Sequence, residues 1–170
     1  MSASPDAGLG IAVLTISDTR TEDTDTSGRL LVERASAAGH RVLQKRIVVD
    51  EPAAIGAALE EFIEDAAVDV VLATGGTGIT LRDVTPEVVE AVCDKMIPGF
   101  GELFRWLSFR DIGTSTIQSR ATAGLARGTL IFALPGSTGA CRTAWDEILL
   151  SQLDITHRPC NFAELLPRTR

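Results

Sequence analysis

A chain of 170 residues, 45% hydrophobic and 23% charged, has the composition of a globular protein and the length to bury a core of its own. Its 16 Lys and Arg against 23 Asp and Glu leave a net charge of −7, which argues against nucleic-acid binding through nonspecific phosphate neutralisation. No apolar run approaches the roughly 20 residues that span a bilayer, and Met1–Gly10 lacks a basic stretch leading into an apolar one, so a cytoplasmic location is expected.

In chain order, residues 1–9 are small and polar and are expected to be a flexible N-terminus before a single domain over 10–170. Four segments read as buried strands: Ile11–Ile16, Val42–Val49, Val70–Ala73 and Leu130–Leu134. The first, third and fourth are continuous apolar runs, as expected of a sheet covered on both faces. The second carries Gln44, Lys45 and Arg46, which suits a position near the sheet edge. Between them lie helical stripes. Leu31, Ala35 and Ala38 make one, closed by Gly39; Ile55, Leu59, Phe62, Ile63 and Ala66 make another, with Pro52 near its start. Pro98–Arg110 reads as a short helix apolar on more than one side, with Phe100, Phe104 and Leu107 on one face and Trp106 and Phe109 elsewhere. Such a helix packs into the core or against another subunit. Cys141, Trp145, Ile148 and Leu149 make a last stripe, opened by Ser137 or Thr138 as N-cap. Strands alternating with helices predict parallel βαβ units with right-handed crossovers and an α/β sandwich.

Cys93, Cys141 and Cys160 are odd in number and far apart, without metal or disulfide spacing, and His40 and His157 are isolated. The chemistry is expected in the loops after the strands. Thr74-Gly75-Gly76-Thr77-Gly78 directly follows a strand; glycines there let backbone N–H groups approach a phosphate closely. It is neither a Walker A loop nor a dinucleotide fingerprint. Thr85 as N-cap and Pro86 at the first helical position account for Thr85-Pro86-Glu87, leaving Arg82 and Asp83 between loop and helix. There a cation pairs with phosphate and a carboxylate holds Mg²⁺, although Arg82 beside an Asp is equally a structural pair. Asp50 follows the second strand just before a helix, where an N-cap and a metal-binding role are equally good readings. Ile16-Ser17-Asp18, then Asp25-Thr26-Ser27-Gly28, follow the first strand; Leu134-Pro135-Gly136-Ser137-Thr138 follows the last and leads into a helix start, an anion site by geometry and dipole. In a parallel sheet these loops converge on one side, the place for a phosphorylated small molecule.

Together these stretches resemble the molybdenum cofactor biosynthesis family that includes MoaB and the Mog-type molybdopterin adenylyltransferases. The match also takes in Pro98-Gly99-Phe100-Gly101-Glu102, Gly113-Thr114-Ser115-Thr116 and Gln118-Ser119-Arg120, and runs from about Gly10 to Asn161. Ala140-Cys141-Arg142-Thr143-Ala144-Trp145 and Arg158-Pro159-Cys160-Asn161-Phe162 look specifically MoaB-like. The resemblance implies a three-layer α/β/α sandwich around a mostly parallel mixed sheet and a homo-oligomer, hexamer favoured over trimer. It implies molybdopterin as substrate and ATP with Mg²⁺ as co-substrate: the terminal phosphate of molybdopterin is adenylated, pyrophosphate is released, and a separate molybdate-inserting protein takes the product. By resemblance, Asp50 and Asp83 are the catalytic carboxylates that hold Mg²⁺ through ATP. Gly75, Gly76, Thr77 and Gly78 cradle phosphate; Ser17, Asp18, Ser27 and Gly28 line the pocket from the first strand; Pro135, Gly136 and Ser137 form a further wall, with Ser119, Arg120 and Arg82 nearby. Some MoaB members lack these acids and bind molybdopterin without adenylating it. This chain has both, which favours an enzyme, with a non-catalytic molybdopterin carrier as the alternative.

Overall fold

The computed structural model describes residues 8–170. Three apolar runs become fully buried strands: β1 (Gly10–Ile16), β3 (Val70–Thr74) and β6 (Thr129–Leu134). With β2 (Arg41–Val48), β4 (Lys95–Met96) and β5 (Thr122–Ala126) they form a six-stranded sheet in the order β2-β1-β3-β6-β5-β4. β2, β1, β3 and β6 run parallel; β5 is antiparallel to β6, and β4 antiparallel to β5. The polar β2 does lie at the edge, as its Gln44, Lys45 and Arg46 predict.

Successive side chains leave opposite faces of a strand, so each central strand feeds two cores. Ile11, Val13, Leu72 and Phe132 pack on one side with Leu31, Phe104 and Trp145. These come from α1 (Thr26–Ala37), α4 (Pro98–Ile112) and the C-terminal helical run. Ala12, Leu14, Val71 and Ile131 pack on the other with Ile55, Leu59, Phe62 and Val89. Those belong to α2 (Pro52–Glu64) and α3 (Thr85–Val92). The result is the expected three-layer α/β/α sandwich around a mixed sheet. The last run is α5 (Thr138–Ala144), then a π-helical turn over Trp145–Leu149, then α6 (Leu150–Gln152); α7 (Phe162–Leu165) follows.

Several local expectations are corrected. Ala38 caps α1 and is exposed, and Ala66 lies in a turn beyond α2, so neither belongs to its stripe. Gly39, with φ +86°, does close α1 in the left-handed conformation. Ser137 rather than Thr138 caps α5, its hydroxyl accepting from Ala140 N–H. Thr85 is not an N-cap: Val84 holds that position, and the Thr85 hydroxyl donates to the Gly75 carbonyl at 2.8 Å. Asp50 is no cap either, because α2 starts from Glu51 without a side-chain cap. The strands β4 and β5 were not expected. Arg127 (φ +47°) and Gly128 (φ +90°) turn β5 into β6, both in the left-handed region, as a two-residue type I′ hairpin requires. Of the N-terminus expected to be flexible, 1–7 lies outside the described residues. Leu9 donates its N–H to His40 Nδ1 at 3.2 Å and accepts from Arg41 N–H at 2.9 Å.

Candidate functional site at the carboxyl ends of the strands

Parallel β1, β2, β3 and β6 end on the same side of the sheet, and their following loops enclose a crevice of about 560 Å³. The glycine loop forms its floor. Gly75 (φ +113°) and Gly76 (φ +66°) are both in the left-handed region, and a Cβ on Gly75 would stand 2.1 Å from the Ile16 carbonyl oxygen. The loop is locked from beneath. Gly75 N–H donates to the Leu134 carbonyl at 2.9 Å, Thr85 N–H to the Gly76 carbonyl at 3.1 Å, and the Thr74 hydroxyl to the Pro135 carbonyl at 2.8 Å. Gly75 therefore has no amide left for a ligand, a correction to its expected role in the cradle. The amides of Gly76 and Thr77 make no hydrogen bond among the described residues and remain as donors.

Arg120 buttresses the loop from outside. It donates to the Gly78 carbonyl at 2.6 Å and the Asp83 carbonyl at 2.7 Å and pairs with Glu87, while its N–H bonds the Thr77 carbonyl at 2.8 Å. Its guanidinium is thus committed to the scaffold rather than to the crevice. Arg82 is committed likewise, bridging Asp18 at 2.7 Å and Glu51 at 2.8 Å. One guanidinium thereby ties together the loops after β1, β2 and β3, its partners being Asp18 and Glu51 and not the adjacent Asp83.

Four carboxylates line the crevice, Asp18, Asp25, Asp50 and Asp83, and their surroundings differ. Asp18 accepts from Asp50 N–H at 2.9 Å and from Arg82, which together hold its carboxyl below the usual range. Asp25 is buried. Burial raises its pKa, but Lys45 at 2.8 Å, the Thr15 hydroxyl at 2.6 Å and Gly28 N–H at 2.9 Å prevail and keep it low. Asp83 is pushed up by burial yet held low by the Thr80 hydroxyl at 2.7 Å, Thr80 N–H at 2.8 Å and Gly78 N–H. Asp50 is the exception. Its Oδ1 is buried without a hydrogen-bond partner among the described residues, and burial with the charges of Asp18 and Asp83 pushes its pKa up. A Cβ on Gly76 would stand 3.1 Å from that oxygen, so it faces the glycine loop.

The structure brings Ser17, Asp18, Ser27, Asp50, Gly75, Gly76, Thr77, Gly78, Asp83, Ser119, Pro135 and Gly136 into the crevice wall. Gly28, Arg82, Arg120 and Ser137 are not part of the wall. Gly28 is packed so closely that a Cβ would meet Asp25 Oδ2 at 2.2 Å, and Ser137 is spent on capping. Thr15, Thr74 and Gln118 also line the wall without having been assigned a role from the sequence: Thr15 lies one residue before the end of β1, Thr74 ends β3 and opens the glycine stretch, and Gln118 ends a 3₁₀ turn over Gly113–Gln118. Asp25 was legible as an acid before a glycine and a helix, and Arg20 carried no signal.

Residues 12–155 match the family model described as "Probable molybdopterin binding domain". Molybdenum cofactor biosynthesis protein B of Escherichia coli (strain K12) is 55% identical over 152 residues, covering 89% of either chain. A crystal structure of a molybdenum cofactor biosynthesis protein B superposes with TM-score 0.87 at 42% identity and 98% coverage of both chains. The tungsten cofactor synthesizing protein MoaB from Pyrococcus furiosus superposes with TM-score 0.76 at 38% identity, covering 84% of this chain and 91% of its own.

Proposed function

This chain belongs to the molybdenum cofactor biosynthesis family with a molybdopterin-binding domain, and on that premise we propose that it binds molybdopterin in this crevice and adenylates its terminal phosphate with Mg-ATP. A phosphate oxygen of molybdopterin attacks the α-phosphorus of ATP, the bond to the β-phosphate breaks, and pyrophosphate leaves. We place the reaction in the cytoplasm, in a homo-oligomer, hexamer in preference to trimer, that passes its product to a molybdate-inserting protein.

The observation that carries the reading is the buried, unpartnered Oδ1 of Asp50 facing the glycine loop. A carboxylate oxygen kept without a partner in a polar crevice is costly unless a cation meets it in function. No group of three or more His, Cys, Asp or Glu among the described residues is arranged to hold a metal alone. The donor set therefore fits an ion that arrives on nucleotide phosphates and takes one or two protein carboxylates. An Mg²⁺ held by Asp50 and Asp83 would supply neutralisation of the charge building on the leaving pyrophosphate. The chain's own part is positional. Gly76 and Thr77 N–H groups hold a phosphate, Asp50 and Asp83 orient the cation, and the bridge from Arg82 to Asp18 and Glu51 keeps the three loops in register.

A second reading, binding without chemistry, draws on Asp83, whose Oδ2 already accepts two hydrogen bonds from Thr80 and braces the loop. Anaerobic incubation with molybdopterin and Mg-ATP, followed by mass spectrometry, separates the two. Adenylated molybdopterin is expected from the native chain, and Asp83→Asn should lower its formation by at least about a hundredfold with an unchanged circular dichroism spectrum. Tight molybdopterin binding with no product makes the chain a carrier, and full activity in Asp83→Asn removes Asp83 from the chemistry.

A further inference from the structure

The crevice wall holds four carboxylates and a single basic residue, Arg20. Two of the carboxylates are neutralised in place, Asp25 by Lys45 at 2.8 Å and Asp18 by Arg82 at 2.7 Å, and both of those cations stand outside the wall. Arg20 makes no ion pair among the described residues. Its guanidinium donates only to the Thr24 carbonyl, at 3.0 Å, and is exposed. Four of its five donors are thus uncommitted. Its backbone is not loose. The Ser17 hydroxyl accepts from Thr19 N–H at 3.2 Å and Arg20 N–H at 3.0 Å, and Thr21 N–H bonds the Thr24 hydroxyl at 2.9 Å, so the loop leaving β1 sets Arg20 at the rim. A phosphate entering such a wall meets net negative charge. Neutral amides of the glycine loop do not supply the compensating charge, whereas a guanidinium does, with a fork that matches two phosphate oxygens.

Resting on the functional reading above, we propose that Arg20 is the side chain that captures a ligand phosphate in this crevice, opposite in role to the scaffold-bound Arg82 and Arg120. On binding, it releases the Thr24 carbonyl and turns its fork inward. The ligand is a phosphate ester, and its two sources are the pterin's terminal phosphate and the nucleotide's polyphosphate.

Isothermal titration of the full chain with three probes tests this: inorganic pyrophosphate with Mg²⁺, Mg-ATP, and molybdopterin under anaerobic conditions. Arg20→Gln should weaken at least one of them about ten- to a hundredfold, at unchanged Tm. Arg20→Lys should restore part of the loss, because it keeps the charge but not the fork. The native affinity should also fall more steeply with salt than that of Arg20→Gln. Loss for Mg-ATP alone assigns Arg20 to the nucleotide, and loss for molybdopterin alone to the pterin phosphate; either supports the proposal. Equal affinity of Arg20→Gln and the native chain for all three overturns it. A native chain that binds pyrophosphate through Arg20 but neither binds nor converts molybdopterin supports the Arg20 assignment while ending the molybdopterin reading. A native chain that binds none of the probes overturns both.

Discussion

The Asp50 carboxylate is held where folding alone would not place it. One oxygen is buried without a partner, and burial with the neighbouring Asp18 and Asp83 charges raises its pKa. A carboxyl whose folded pKa lies above its unfolded value binds protons more readily in the native state. Stability therefore falls as pH rises through the window between the two, and at neutral pH the ionised group is a net cost. Asp50→Asn should then raise Tm at pH 7 while abolishing adenylation. The gain should shrink as pH is lowered into the acid range, where the native Asp50 also takes up its proton. Thermal melts across that pH range check it, and a lower Tm for Asp50→Asn at pH 7 would sink the argument. The site was partly legible at this scale. Asp50 stood out by its place after a strand, but its lack of a partner depends on α2 starting from Glu51 without a side-chain cap, which no local spacing reveals.

Among the elements, the glycine loop shows most directly how sequence becomes site. Gly75 and Gly76 are needed for different reasons. A Cβ at Gly75 collides with the Ile16 backbone, whereas one at Gly76 meets the Thr85 hydroxyl at 2.4 Å and then the space before Asp50 Oδ1 at 3.1 Å. Gly75→Ala should therefore disturb the β1–β3 junction itself. Gly76→Ala should cost about 1–2 kcal/mol for its left-handed backbone and the shifted Thr85, leaving a folded chain whose cradle is filled. The expected outcome is a cooperative urea transition at a modestly lower midpoint, with molybdopterin affinity down at least tenfold by titration. Native affinity in Gly76→Ala would exclude the loop as the phosphate cradle. The buried parallel strands were legible because their apolar runs are continuous. The antiparallel pair was not, because β4 has only two residues and β5 alternates small side chains around Gly124. The hairpin from β5 to β6 is built on Arg127-Gly128, and only the glycine hints at a turn.

At the scale of the whole molecule, α4 presents two apolar faces and the sheet can cover only one. Phe100, Phe104 and Leu107 enter the core, whereas Trp106 is 73% exposed, Phe109 55% and Ile112 53%, with Ile117 of the following 3₁₀ turn at 79%. Apolar side chains of this size, clustered on one helix and the turn after it, form an exposed apolar patch, and the oligomer proposed above would cover it. The doubled apolar face was legible in the helical pattern; the number of copies was not, because it depends on the angle at which two such faces cross. If α4 joins copies of this chain, Trp106 lies where an aromatic anchor contributes most to association. Trp106→Glu should then weaken the interface by at least about 2 kcal/mol, roughly thirtyfold in dissociation constant. Light scattering on a sizing column should show the native chain as an oligomer and the variant shifting towards monomer at micromolar concentration. The Tm measured at high dilution should change little, since the indole makes no core contact to lose. A native chain that is monomeric at high concentration would end the assembly reading.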